Sequence, residues 1–452
     1  MFDIISKFRG DKTIWAIVIL LAIVSFLPVY SASTNLVSKN EDLNTFSFLF
    51  KHFTHVMIGF LALYIAHKTP FHYFKFLSIV FTPVIIVLLA YTLLKGKEID
   101  GANASRWIEI PFIGFSFQTS TFAFVVIIAY VARYLSKISK KEFTFQESLW
   151  ELWLPVALVL MLILPANFST TALIFVMICM LVYIGNYPLK YLASIIGIGL
   201  LFLTIFVLAA KAFPEAMPNR VDTWMSRIDS YVNNEDNQDD YQIETAKIAI
   251  ASGGIKGLGP GKSVQKNFLP QSSSDFIFSI VIEEYGIFGG IGILTLYLVL
   301  FVRFIINAQK ATTVFGKLLI IGLGFPIVFQ ALINMGVAVN LLPVTGQPLP
   351  LISSGGTSII MTLFSIGIIL NITKKEQEIA LDLEENRKRN EALKQIIDNQ
   401  VALNEEHDNA DYSVSEKMKS MKNGIKNAIL EDENGDVLVN GQNPMNAVLN
   451  KK

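Results

Sequence analysis

The stretch that decides the fold is FIFSIVIEEYGIFGGIGILTLYLVLFVRFI, residues 276–305. Its only charged side chains are Glu283, Glu284 and Arg303. A helix needs about 20 predominantly apolar residues to cross the roughly 30 Å hydrocarbon core of a membrane. The stretch therefore predicts a transmembrane helix, and it carries two acidic residues into a region where charge is costly.

Other apolar runs of similar length lie along the chain, and the composition agrees with them. Of 452 residues, 52% are hydrophobic and 16% are charged, whereas soluble domains carry about 25% charged residues. We predict an all-α, polytopic integral membrane protein with about ten transmembrane helices. The predicted spans lie near residues 13–32, 50–67, 76–94, 113–133, 149–165, 169–186, 190–212, 276–305, 315–339 and 351–372.

Basic residues between the spans orient the chain. With ten spans, all clusters of lysine and arginine fall on one side, which the positive-inside rule assigns to the cytoplasm. With nine spans this bias would break down. Both termini are then cytoplasmic, and the segments predicted to face outward are 33–49, 95–112, 213–275 and 340–350. We expect the protein in the cell inner (cytoplasmic) membrane.

The predicted outer loop 213–275, between spans seven and eight, is too long to be a simple connector. Residues 243–252 predict a helix within it, and 253–261 a tight glycine-rich turn. A divalent cation remains possible as a cofactor, because clustered carboxylates can supply oxygen ligands. Such a run is more often a solvated loop face, so the sequence leaves a metal site unknown. The acids concerned are Glu235, Asp236, Asp239 and Asp240.

The C-terminal region has a different composition from the rest. Residues 376–452 are rich in charged and polar side chains and contain no apolar run. We predict a helix over 376–402 and disorder beyond about Asn404. The expected organisation is a transmembrane domain at 1–375 followed by a cytoplasmic charged tail at 376–452.

Asp275 stands where the polar loop meets span eight, and two interpretations of it are open. It could be the N-cap of the helix, a role that Asp commonly fills. It could also be a general base, because a carboxylate beside apolar surface is suited to accept a proton. Glu283 and Glu284 lie about two helical turns deeper, where acids are normally functional or paired. Arg106 in the preceding outer segment is a candidate counter-ion.

Several motifs follow one another in a specific order. GLGPGKSVQK at 257–266 is followed by FLP at 268–270 and SDFIF at 274–278. NLLPVTG at 340–346 and PLPLISSGGTS at 348–358 come later. Over residues 10–372 the chain resembles the SEDS family, whose name stands for shape, elongation, division and sporulation. The resemblance implies peptidoglycan glycosyltransfer, in which lipid II units are joined by β-1,4 bonds and undecaprenyl diphosphate leaves.

The resemblance also implies roles for particular residues. The family's essential acid falls on Asp275, which would deprotonate or orient the acceptor sugar 4-hydroxyl. Charge develops on the leaving diphosphate in the transition state and needs positive charge nearby. The predicted substrate-binding residues are Arg106, Lys262, Lys266, Arg220, Arg227, Glu283 and Glu284.

Two departures from the family pattern stand out. Thr121 and Phe124 occupy positions where the family usually has a glutamate and a lysine. Losing both members of such a pair is less damaging than stranding one buried charge. Ser354 stands where a tyrosine is common before the paired glycines.

The resemblance favours the division member of the family over the elongation member. It implies a class B penicillin-binding transpeptidase and divisome proteins as partners, and a location at the division septum. A formal net charge of zero gives no indication of a nucleic-acid partner, and we expect none. Two alternatives remain open, a lipid II flippase and a non-catalytic divisome scaffold. Both predict that Asp275→Ala leaves glycan polymerisation unchanged.

Overall fold

The computed structural model describes residues 10–38, 45–96, 106–110, 115–139, 141–212, 238–269, 271–407, 419–423, 429–431 and 437–439. Arg220, Arg227, Glu235 and Asp236 lie outside these ranges. Two compact units divide the chain, Met1–Gln377 and Glu378–Lys452.

Long apolar helices make up most of the described residues. Within those ranges, nine helices are long and apolar enough to cross a membrane. These are α1 Lys12–Ser38, α2 Thr45–Lys68, α3 Tyr73–Lys95, α4 Thr119–Ile138, α5 Phe145–Ile163, α7 Leu189–Ala212, α9 Ile277–Lys310, α10 Val314–Ala338 and the first part of α11 Gly356–His407.

The remaining predicted span is the shorter helix α6, Phe168–Ile184. Its 17 residues lie at the lower limit of membrane helices, which run from about 17 to 25 residues. Each predicted span therefore corresponds to a helix in the structure. The prediction of a helical, polytopic membrane protein is confirmed.

Two short hairpins depart from the all-helical prediction. β1 Trp107–Ile110 pairs antiparallel with β2 Phe115–Gln118. The predicted start of span four at 113 is therefore wrong, because 115–118 pair as a strand and α4 begins only at Thr119. In the C-terminal unit, β3 Ile429–Glu431 pairs with β4 Val437–Val439. The rest of the tail predicted to be disordered lies almost wholly outside the described residues.

The polar loop contains helix α8, Gln238–Gly253, which confirms the helix predicted at 243–252. α8 packs against α9, and α10 packs against α4, α6 and α9. Close approach to α10 depends on small residues. A side chain at Gly322 would overlap Ile128 and Leu181, and one at Gly324 would overlap Phe304.

A buried polar network joins α1, α9 and α11 at the end of α9 remote from Asp275. Asp11 Oδ1 accepts a hydrogen bond from Ile14 N–H at 3.1 Å and caps α1. Its Oδ2 accepts from Asn307 Nδ2 at 2.6 Å and from Arg303 Nε at 2.9 Å. The N–H of Asp11 donates to Thr373 Oγ1 at 3.1 Å. Asp11 therefore links the start of α1 to the last turns of α9 through its carboxylate, and to the interior of α11 through its N–H.

We expect Asp11→Asn to lower the free energy of unfolding by about 1–3 kcal/mol, because charged hydrogen bonds to Arg303 are lost. Burial alone would raise the pKa of Asp11. Hydrogen bonds from Asn307, Arg303 and Ile14, together with the Arg303 charge, nevertheless lower it from the usual 3.8. A carboxylate with a lowered folded pKa stabilises the protein above its unfolded pKa, and loses this effect as the pH falls through the folded value.

Thermal melting in detergent checks this expectation. The melting temperature of the wild type should exceed that of Asp11→Asn at about pH 7, and the difference should shrink below about pH 4. A difference that stays constant with pH would contradict the assigned role of the carboxylate.

Candidate active site

Asp275 lies in a turn of residues 271–276, here called the acid turn, that precedes α9. The N–H groups of Ser274 and Phe276 donate to the Gln271 carbonyl at 3.0 and 3.3 Å. The N-cap position of α9 is Phe276, whose ring is fully buried. The structure therefore places Asp275 one residue before the N-cap position rather than in it, and Phe276 makes no side-chain cap hydrogen bond. The Asp275 side chain itself is half-buried.

A second loop, residues 340–355 between α10 and α11, lies against the acid turn and is called the facing loop. A Cβ added at Gly346 would lie 3.5 Å from Asp275 Oδ2. Gly346 has a φ of +64°, so glycine is favoured there for its backbone as well. The absence of a side chain at 346 leaves space beside the carboxylate.

Serines of the facing loop hold the acid turn. Ser353 Oγ donates to the Ser274 carbonyl at 2.5 Å. The N–H and hydroxyl of Ser354 both donate to the Ser273 carbonyl at 2.9 Å. The serine that replaces the family's usual tyrosine therefore binds the acid turn directly.

Arg106 is connected to the same end of the bundle through hydrogen bonds. Its Nε donates to the Ala166 carbonyl at 2.8 Å, just before α6. Asn167 caps α6 by accepting from Thr170 N–H at 3.1 Å. Gln347 of the facing loop donates to Thr170 Oγ1 at 3.0 Å. A continuous polar chain thus runs from Arg106 to the loop that faces Asp275.

A small cavity of about 20 Å³ lies beside Arg106. Its polar lining includes Thr92, Thr119, Ser120 and Asn167. This space is enough for about one water molecule, so the cavity itself does not hold a sugar or a diphosphate.

The two positions that lack the family's charged pair are both accommodated. Thr121 Oγ1 donates to the Gln118 carbonyl at 2.8 Å in the first turn of α4. Phe124 packs against the apolar core. Neither substitution strands a charge.

Glu283 is fully buried and binds the segment after the glycine-rich turn. Its Oε1 accepts from the N–H groups of Val264 and Gln265 at 2.9 and 3.2 Å, and Oε2 accepts from Ser263 Oγ. These contacts favour a role in holding residues 263–265 against α9 rather than in binding substrate.

Glu284 and Lys266 form the adjacent part of this network. Glu284 Oε1 accepts from Ser31 Oγ and from Ser263 N–H. Lys266 Nζ donates to Ser31 Oγ at 3.1 Å and to the Gly261 carbonyl at 2.9 Å. The loop segment is therefore joined to both α1 and α9.

We expect Glu283→Ala to lower the free energy of unfolding by about 2–4 kcal/mol, because the buried Ser263 hydroxyl and two part-buried N–H groups lose their acceptor. Glu283→Gln keeps one carbonyl oxygen that can accept from the two N–H groups. This variant should lower the free energy of unfolding by only about 1 kcal/mol. Thermal melting of the two variants checks this. Equal melting temperatures would show that these hydrogen bonds do not hold the segment.

Three further predicted site residues, Lys262, Asp239 and Asp240, lie in the described part of the polar loop. Lys262 is exposed in the loop beside the network. Asp239 and Asp240 begin helix α8. Within the part of the chain that the structure describes, no three His, Cys, Asp or Glu residues are grouped to hold a metal ion.

The sequence reasoning missed Asn334 and Gln347. Asn334 is 1% exposed and donates from Nδ2 to the carbonyls of Asp275 and Gln347 at 2.7 and 2.8 Å. The available signal was an amide inside an otherwise apolar predicted span, where polar residues usually have a function.

The fold and this site define a multi-pass membrane protein with a half-buried acid at the junction of a long polar loop and a helix. The family model described as "Cell cycle protein", which covers FtsW, RodA and SpoVE, matches residues 11–378. The chain belongs to this family.

Two curated relatives are consistent with membership of this family. A protein of Geobacter metallireducens named "Probable peptidoglycan glycosyltransferase FtsW" is 32% identical over 372 residues, covering 81% of this chain and 95% of the relative. "Stage V sporulation protein E" of Bacillus subtilis is 29% identical, covering 82% of this chain and 98% of that protein.

Solved structures share the fold. The Thermus thermophilus rod shape determining protein RodA has a TM-score of 0.58 at 21% identity, over 82% of this chain and 99% of RodA. A chain from a structure titled "Structural coordination of polymerization and crosslinking by a peptidoglycan synthase complex" has a TM-score of 0.61 at 23% identity, over 81% and 98% of the two chains.

Proposed function

We propose that this chain is a peptidoglycan glycosyltransferase that polymerises lipid II into glycan strands during cell division and releases undecaprenyl diphosphate. Membership of the family and the names of the relatives support the reaction class. The observation that carries the proposal is the half-buried carboxylate of Asp275, which lies in the acid turn close to Gly346 of the facing loop.

In the proposed reaction, the 4-hydroxyl of the acceptor sugar attacks the anomeric carbon of the donor. Asp275 takes the hydroxyl proton as the new carbon–oxygen bond forms. The bond from the anomeric carbon to the diphosphate breaks, and its electron pair leaves with undecaprenyl diphosphate. General-base catalysis of this kind contributes about 10²–10⁴-fold to the rate.

The leaving diphosphate needs cations, because negative charge builds on it in the transition state. Arg106 is our first candidate, since it bonds the Ala166 carbonyl before α6, and α6 is in turn bonded to the facing loop through Thr170 and Gln347. Lys262 is exposed and remains available. Lys266 is buried among protein acceptors, which makes it a weaker candidate. Arg220 and Arg227 stay as sequence-based candidates.

We further propose that the chain works with a class B penicillin-binding transpeptidase within the divisome. Support comes from the fold shared with a chain of a complex whose title names polymerisation and crosslinking. The protein is a multi-pass membrane protein. We place it in the inner membrane at the septum, with both termini in the cytoplasm and the polar loop outside.

The test is to reconstitute the purified chain in vesicles with lipid II as the sole substrate, with and without a transpeptidase whose own catalytic serine has been replaced. We expect glycan polymer and one released undecaprenyl diphosphate per bond formed. Movement of labelled lipid II between leaflets without polymer would instead identify a flippase. Absence of polymer in both preparations would contradict the proposed function.

A further inference from the structure

We propose that Asn334 is a positioning residue for Asp275, and that it fixes the direction in which the carboxylate points toward the facing loop. This inference rests on the proposed function. Asn334 lies in the last turns of α10, beneath both the acid turn and the facing loop.

The orientation of the Asn334 amide follows from its neighbours. Both acceptors are carbonyls, of Asp275 and Gln347, so only the NH₂ group can face them. The Oδ1 atom is buried and has no hydrogen-bond partner among the described residues. Asn334 is 1% exposed, so removing its amide would take these donors from two carbonyls inside the protein. The amide therefore acts here only as a donor, to one carbonyl of the acid turn and one of the facing loop.

The position of these donors explains their effect on Asp275. The carbonyl of Ser274, before the Asp275 Cα, accepts from Ser353 Oγ at 2.5 Å. The carbonyl of Asp275, after that Cα, accepts from Asn334 Nδ2 at 2.7 Å. Both peptide planes flanking the Cα are therefore fixed, so the carboxylate can move only through its own side-chain torsions. A catalytic group displaced by about 1 Å can lose about 10²-fold in rate.

The chain provides a matched control on the same helix. Gln330, about one turn before Asn334, donates from Nε2 to the Pro348 carbonyl at 3.0 Å. This hydrogen bond ties α10 to the facing loop and does not involve the acid turn. Gln330→Ala therefore removes a loop contact while leaving the peptide of Asp275 bonded to Asn334.

The experiment compares Asn334→Ala, Asn334→Gln and Gln330→Ala in lipid II vesicles, with kcat and KM measured per folded protein. We expect Asn334→Ala to lower kcat at least about tenfold with KM changed less than about twofold. Gln330→Ala should leave kcat within about twofold. Asn334→Gln keeps both N–H donors on a longer side chain, so its kcat should lie between those of Asn334→Ala and Gln330→Ala.

Equal kcat losses for Asn334→Ala and Gln330→Ala would overturn the inference, because a loop tether alone would then explain them. A change in KM alone would overturn it as well. If Asn334→Ala does not fold, Asn334→Gln is compared with Gln330→Ala in the same way. A wild type that makes no polymer would instead refute the proposed function, so the two failures are distinguishable.

Discussion

Gly257→Ala is expected to prevent the polar loop from docking on α9 and to abolish activity. Gly257 has a φ of +79°, and a Cβ there would lie far inside van der Waals contact with the Glu284 carbonyl. The crossing is reciprocal, since a Cβ at Gly286 would overlap the Ile255 carbonyl. Two main chains touch here without side chains between them.

Hydrogen bonds depend on this close approach. The N–H groups of Leu258 and Gly259 donate to the carbonyls of Glu283 and Glu284, both at 2.9 Å. Gly286 breaks the helical geometry of α9 with a φ of +69°, and Ile287 N–H donates to the Gly254 carbonyl at 3.0 Å. A methyl group at 257 would separate the two chains and break this set of bonds. We expect Gly257→Ala to lower the free energy of unfolding by about 4 kcal/mol or more.

Gly254→Ala is the matched control. Gly254 also has a positive φ, +51°, but an added Cβ would meet nothing within 4 Å. Gly254→Ala should lower the free energy of unfolding by only about 1–2 kcal/mol, which is the penalty for a non-glycine residue in the left-handed region. Thermal melting and protease cleavage of the loop distinguish the two variants. Similar melting temperatures would mean that backbone strain, and not the crossing, governs position 257.

The spans were predictable because a membrane helix needs only a long apolar run, and each predicted span corresponds to a helix. The start of α4 was not predictable, because the strand at 115–118 is only four residues long and runs directly into the helix. Its pairing partners lie between five (110 to 115) and eleven (107 to 118) residues earlier. The helix α8 was predictable from local helix formers.

The site was predictable in part. Asp275 was identified through the resemblance, whereas local propensity alone favoured a helix cap. The pairing of Glu283 with Ser263 was not predictable, because it joins residues from a loop and a helix across the glycine crossing. Asn334 was missed because its two acceptors are backbone carbonyls, which leave no trace in side-chain patterns.

Asp275→Asn is expected to lower lipid II polymerisation by at least about 10²-fold, because the amide keeps the size of the side chain but cannot accept the hydroxyl proton. Folding should persist, since the Asp275 carbonyl still accepts from Asn334 and the Phe276 ring stays buried at the start of α9. Lipid II binding should change little, because the general base acts in the transition state.

Glu244→Gln provides the control. Glu244 is an exposed acid in α8 of the same polar loop, and it loses the same formal charge on substitution. Its polymerisation rate should equal that of the wild type. A comparable loss in Glu244→Gln would attribute the effect to loop charge and not to Asp275.

The most direct test of the central claim is to measure glycan polymer and released undecaprenyl diphosphate together, from lipid II vesicles containing equal amounts of folded wild type or Asp275→Asn. Catalysis by Asp275 predicts matched yields of both products from the wild type and near-background yields of both from Asp275→Asn. Equal yields from the two proteins would contradict it.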